Sequence, residues 1–228
     1  GEILHGSIPF LAKRLKDLTS AQRTLKNLKG RKLGVIGMPS DWLISSDIDE
    51  QALLDKLGMT AEMISMAELY AEIEKKEYED NEYTKLLKKQ NFNSAEIEKA
   101  LYVYGAFRRI ADDHGFIGIT VRCFDLLTSV RTTGCLGLSV LNAEGIYGGC
   151  EGDVTTLLSM VILGELSGKP QFMCNPSRMD PETGEITLAH CTMPLNMPYE
   201  FQLDTHYESG IGVAIAGSVA EDTTRSEE

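Results

Sequence analysis

Short apolar runs that stop near glycine alternate along this chain with longer stretches whose leucines recur at helical spacing, and this alternation limits the fold more than any single motif. The runs at 31–37 and 116–124 are mostly apolar in their centres rather than polar at every second position, and a further strand is expected near 61–65. That pattern predicts strands buried on both faces, as in a parallel sheet. The stretches at 8–28, 49–57, 67–76 and 93–113 read as helices. Gly30, Gly58 and Gly115 follow three of them in the C-terminal cap position, and Asn93 with Glu96 makes a capping-box pattern before the longest.

Strands joined by helices predict an α/β chain: a Rossmann-like parallel sheet with helices on both faces, followed by the start of a β-rich C-terminal domain. We divide it into an N-terminal helix and linker at 1–30, a Rossmann-like domain at 31–170, and the β-rich start at 171–228. In the last part, strands are expected at 171–175, 185–190 and 210–217. The segment 78–89 reads as charged and exposed, and the acidic 221–228 tail has almost nothing to bury. The first strand-to-helix turn lacks the GxGxxG spacing of dinucleotide sites, so nucleotide binding has little to stand on.

Charge and cysteine usage narrow the partners. With 22 Lys and Arg against 34 Asp and Glu, the net charge of −12 argues against wrapping a nucleic acid. The longest apolar stretch, 154–166, carries Thr155, Thr156, Ser159 and Glu165 and is too short to span a bilayer, so no membrane role is expected. No signal peptide is expected either. Cys123, Cys135, Cys150, Cys174 and Cys191 form no CxxC pair and are odd in number, which suits a reducing cytoplasm and buried thiols acting as small hydrophobes.

Chemistry concentrates between residues 150 and 191. Cys150-Glu151-Gly152-Asp153, Met173-Cys174-Asn175 and Ala189-His190-Cys191 each place a polar, metal-capable side chain where an apolar or glycine-rich run stops. Parallel sheets hand their last residues to a shared crevice in this way. Because neighbours on a strand face opposite sides, thiols next to Glu151, Asn175 and His190 are expected to face the core. Asp153 has two readings: N-cap of the following helix, or a second carboxylate two positions from Glu151.

Five motifs together resemble the L-fucose isomerase and L-arabinose isomerase superfamily, nearest its fucose isomerase-like branch. They are Gly37-Met38-Pro39-Ser40-Asp41-Trp42-Leu43-Ile44-Ser45-Ser46, Thr120-Val121-Arg122-Cys123-Phe124, Gly149-Cys150-Glu151-Gly152-Asp153, Ala189-His190-Cys191-Thr192 and Thr205-His206-Tyr207-Glu208-Ser209-Gly210-Ile211-Gly212. The resemblance runs from about residue 30 onward. It implies an internal piece of a longer chain, a homo-oligomer with sites near subunit interfaces, and a small-molecule sugar substrate.

The resemblance further implies metal-dependent aldose–ketose interconversion through an enediol, with manganese or another divalent cation. Glu151 would be ligand and proton-transfer base, with Asp153 as a further acid and His190 as a ligand. Asn175 stands where the better-known sugar isomerases have a second metal-binding carboxylate, and an amide oxygen ligates without bringing charge or basicity. A non-catalytic sugar-binding or regulatory module is therefore the alternative. Three more residues are candidates for substrate contact: Trp42 as a stacking face or a core residue, Arg122 as a partner of Glu151 or of an anionic substrate, and His206 as a contact for sugar hydroxyls.

Overall fold

A computed structural model describes residues 2–44 and 46–219. The chain opens with α1 (Ile8–Leu28), β1 (Lys32–Ile36), α2 (Glu50–Leu57), β2 (Thr60–Ile64) and α3 (Met66–Glu74). Then come α4 (Glu82–Leu87), α5 (Ser94–His114), β3 (Phe116–Val121), α6 (Asp125–Ser129), α7 (Cys135–Glu144), β4 (Tyr147–Gly149) and α8 (Val154–Ser167). Two hairpins follow: β5 (Asn175–Met179) with β6 (Ile186–Ala189), and β7 (Glu200–Asp204) with β8 (Ala214–Ser218).

β1 to β4 form one parallel sheet in the order β2-β1-β3-β4, and the two hairpins are antiparallel. Strand alternation divides the core in two. Ile36 and Val121 face a cluster containing Leu101, Phe107 and Leu136, whereas Leu33 and Val35 face Leu53, Val154, Leu157 and Val161. Side chains from α3, α5 and α7 supply the first layer, and α2 and α8 the second. The central strands β1 and β3 are covered on both faces, which explains why their sequences lack polar alternation, whereas the edge strand β2 is only partly buried.

The caps match the sequence signals where the chemistry is local. Asn93 accepts from Ala95 N and Glu96 N, and Gly58 and Gly115 end α2 and α5 in the left-handed region. Three expectations shift. The segment 78–89 contains α4, capped by a reciprocal Asn81–Thr84 pair, and its Leu87 is fully buried. The strand expected at 171–175 begins only at Asn175, because its partner is the following β6 across the 180–184 turn. The strand expected at 210–217 starts at Ala214, after positive-φ turns at Gly210 and Gly212. The acidic 221–228 segment lies outside the described residues.

Candidate active site at the carboxyl ends of the strands

β1 has β2 on one side and β3 on the other, so the direction of chain crossover reverses between β1 and β3. Segments leaving the carboxyl ends of parallel strands diverge at such a point and leave a crevice. The segments after β1, β3 and β4 supply Trp42, Cys123 with Phe124, and Cys150 with Glu151. The hairpins close the other side with Asn175, His190, Cys191 and the 206–208 turn. The resulting cleft, about 470 Å³, falls within the size range of small-molecule pockets. A depression of about 510 Å³ beside Asn81, Arg108 and Glu144 is more open, and its polar groups already pair with one another.

Glu151 is held in a conformation few residues other than glycine adopt, with φ +63°, and Gly152 follows at φ +72°. Backbone contacts impose it. Ser40 N donates to Glu151 O at 2.9 Å, and Gly152 N donates to Val121 O at 2.9 Å, so the turn is tied to the segment after β1 and to the end of β3. A Cβ on Gly152 would stand 2.8 Å from both Met38 O and Pro39 Cα, so glycine is required there. The turn aims the Glu151 carboxylate across the cleft.

The carboxylate is gripped at both oxygens. Trp42 Nε1 donates to Oε2 at 2.7 Å, and His190 Nε2 lies 3.5 Å from Oε1. On the other edge of the imidazole, Nδ1 meets Thr192 Oγ1 at 3.3 Å and Cys191 Sγ at 3.6 Å. The side chains of Glu151 and His190 are only 15% and 6% exposed, so the pair interacts with little solvent screening. Contact with His190 leads in holding the Glu151 carboxyl below its usual range; burial opposes this and the Trp42 bond assists. Burial alone would lower the His190 pKa, yet contacts with Cys191 and Glu151 outweigh it and push the value up to about 10.

The sequence-derived candidates separate into two groups. Trp42, Glu151, Asn175, His190 and His206 meet in the cleft. The β5–β6 register pairs Asn175 with Ala189, which sets Asn175 beside His190. Trp42 is neither a core residue nor free to swing, since its indole is 55% exposed, packs edge-on against Phe124 at 5.1 Å and holds Glu151.

Asp153 and Arg122 are engaged elsewhere. The Asp153 carboxylate caps α8, with Oδ1 accepting from Thr156 N and Thr155 Oγ1 and Oδ2 from Thr156 Oγ1, so it does not join Glu151 as a second acid. Arg122 donates to Pro39 O and pairs with Asp41 and Asp125 rather than with Glu151, bracing the segment after β1 against the end of β3.

The thiols of Cys123, Cys135, Cys150 and Cys191 are buried as expected, and Cys174 is half-buried. Cys150 and Cys191 nonetheless also border the cleft beside Glu151 and His190, because both follow a strand end, where the two-residue repeat no longer applies. Sequence reasoning did not single out Phe124 and Tyr207, aromatic faces of the cleft that stand within two of the motifs.

An open parallel sheet with a carboxylate, an imidazole, an amide and aromatic faces gathered in a cleft at its switch point defines the class of the chain as α/β, with a crevice where such sheets commonly place their sites. No protein-family model matches the chain. Three curated relatives carry the name sulfoquinovose isomerase. The chain is 28% identical over 172 residues to that of Clostridium sp. (strain MSTE9), 26% over 188 residues to that of Priestia aryabhattai, and 24% over 187 residues to that of Alkalicoccus urumqiensis. These alignments take in 72%, 79% and 78% of this chain and 38%, 42% and 42% of the relatives, so the chain spans about two-fifths of their length. The likeness supports a sugar-isomerase superfamily and does not single out the fucose isomerase branch. Among the described residues, no helix is long and apolar enough to cross a membrane.

Proposed function

We propose that this chain carries the proton-transfer centre of an aldose–ketose isomerase. The observation that carries the reading is the convergence of Glu151 and His190, 39 positions apart in sequence, within 3.5 Å in one cleft. Glu151 is the base. Its lowered pKa keeps it ionised at neutral pH, and Trp42 and His190 fix its orientation. Its carboxylate takes the proton from the hydroxyl-bearing carbon next to the sugar carbonyl, leaving an enediolate that becomes the enediol on protonation at the former carbonyl oxygen. It then returns the proton to the former carbonyl carbon as the neighbouring hydroxyl gives up its proton to become the new carbonyl. Trp42, Phe124 and Tyr207 supply apolar faces for the sugar carbons.

The Glu151 carboxylate, the Asn175 amide oxygen and the His190 imidazole, once it gives up the proton that its pairing with Glu151 retains, make a donor set that suits a divalent cation of the manganese type. Such a cation, when bound, supplies polarisation of the carbonyl and charge to balance the developing oxyanion. Among the described residues the cleft lining contains no Lys or Arg, so it offers a sulfonated sugar no permanent cation. We therefore assign the chain to sugar isomerisation without transferring the relatives' named substrate.

Isothermal titration with Mn²⁺ tests the cation and solvent deuterium incorporation into a panel of aldoses tests the base. Saturable heat is expected for the native chain and its loss in Glu151→Ala; superimposable isotherms would remove the cation claim. Deuterium uptake that persists in Glu151→Gln would remove the base. Asn175 favours a second reading, a sugar-binding module without turnover, because it brings neither charge nor basicity. On that reading aldoses bind without exchange, and Asn175→Asp raises cation affinity.

A further inference from the structure

At the cleft floor and just beneath it lies a group that the proposed isomerisation does not use. Cys135 at the start of α7, Cys191 after β6 and His206 after β7 bring one sulfur, a second sulfur and a ring nitrogen within 4.8 Å of one another, and all three residues are buried. We infer that these side chains form a second cation site, chemically distinct from the one at Glu151, that takes a thiophilic ion such as Zn²⁺.

The donor chemistry separates the two sites. Two thiolate-capable sulfurs and an imidazole select soft or borderline metals, whereas the Glu151 set of oxygens with one imidazole suits manganese. Neighbouring side chains already orient the His206 ring. His206 Nδ1 meets Ser209 Oγ at 3.0 Å, leaving Nε2 as the ring nitrogen for a metal, and Phe124 packs edge-on against the ring at 5.9 Å. The Cys135 thiol is pushed up, first by the neighbouring Cys191 sulfur and then by burial, so a bound ion would have to displace its proton. Cys150 is within hydrogen-bond reach of Cys191, and its sulfur lies 2.7 Å from that of Cys123, so further thiols border the site.

Cys135, Cys191 and His206 come from three segments remote in sequence, so a bound ion would tie α7 to both hairpins.

The test is a Co²⁺ titration of the reduced, metal-stripped full chain, followed by displacement with Zn²⁺. One equivalent should produce sulfur-to-cobalt charge-transfer absorption that Zn²⁺ abolishes. Cys135→Ser and Cys191→Ser should each lose that absorption, and His206→Gln should weaken Co²⁺ binding at least tenfold. Glu151→Gln should keep it, so failure of this site and failure of the isomerase centre read out separately. Because a buried Cys→Ser change can prevent folding, Zn²⁺ protection of the native thiols from iodoacetamide is measured in parallel. Protection should fall on Cys135 and Cys191. No charge-transfer band in the native chain, a band that survives Cys191→Ser, or alkylation of both thiols unaffected by Zn²⁺ would overturn the assignment.

Discussion

The turn that presents Glu151 makes a prediction in which stability and function move in opposite directions. With φ at +63°, residue 151 occupies the left-handed region, which costs an L-residue roughly 1–2 kcal/mol relative to glycine. Glu151→Ala and Glu151→Gly both remove the bond from Trp42 and the pairing with His190, so their difference isolates the backbone. Glycine recovers the left-handed cost but gives back about 0.4–1 kcal/mol through the greater freedom of the unfolded chain. The Gly variant is therefore expected to exceed the Ala variant by about 0.5–1 kcal/mol, or ~1–4 °C in melting temperature for a chain of this size. Both should lack Mn²⁺ binding. Scanning calorimetry of the two variants measures it, with Lys99 in α5 as control, where Ala should exceed Gly by about 1 kcal/mol. An Ala variant at 151 as stable as the Gly variant would refute the claim that the fold holds this carboxylate in a costly conformation, and with it the case that function placed it there.

Gly152→Ala should lower stability by at least about 2 kcal/mol in urea titration, since its Cβ meets backbone that cannot step aside. Leu87→Ala should cost ~2–5 kcal/mol in the same assay, because α4 is anchored by that fully buried side chain; a cost below ~1 kcal/mol would restore the reading of 78–89 as a solvated segment. His114 sits between Glu62 and Glu68, and contact with Glu62 leads in raising its pKa while that of Glu62 is lowered. A raised histidine stabilises fully below its ordinary 6.5 and ceases to do so as pH climbs through the folded value, whereas the lowered Glu62 contributes above its ordinary 4.5. Melting curves of native and His114→Ala chains should thus differ most between those two values and converge at alkaline pH; a gap that widens upward would reverse the sign.

Local chemistry in the sequence determined much of the scaffold. Continuous apolar runs at β1 and β3, glycines in left-handed caps after α2 and α5, and the side-chain cap at Asn93 act within a few residues of themselves, so they read correctly without neighbours, whereas Asp153 stayed open between cap and acid. Glu151 and His190 were visible as polar residues at strand ends. What the sequence did not carry is how far apart in the chain a side chain finds its partners. Arg122 is claimed by Asp41 and Asp125, Trp42 by Glu151, and the strand beginning at Asn175 by the hairpin that follows it. Only the packed structure decided those, along with the meeting of Cys135, Cys191 and His206, because each is a choice among competing long-range partners that close approach alone resolves.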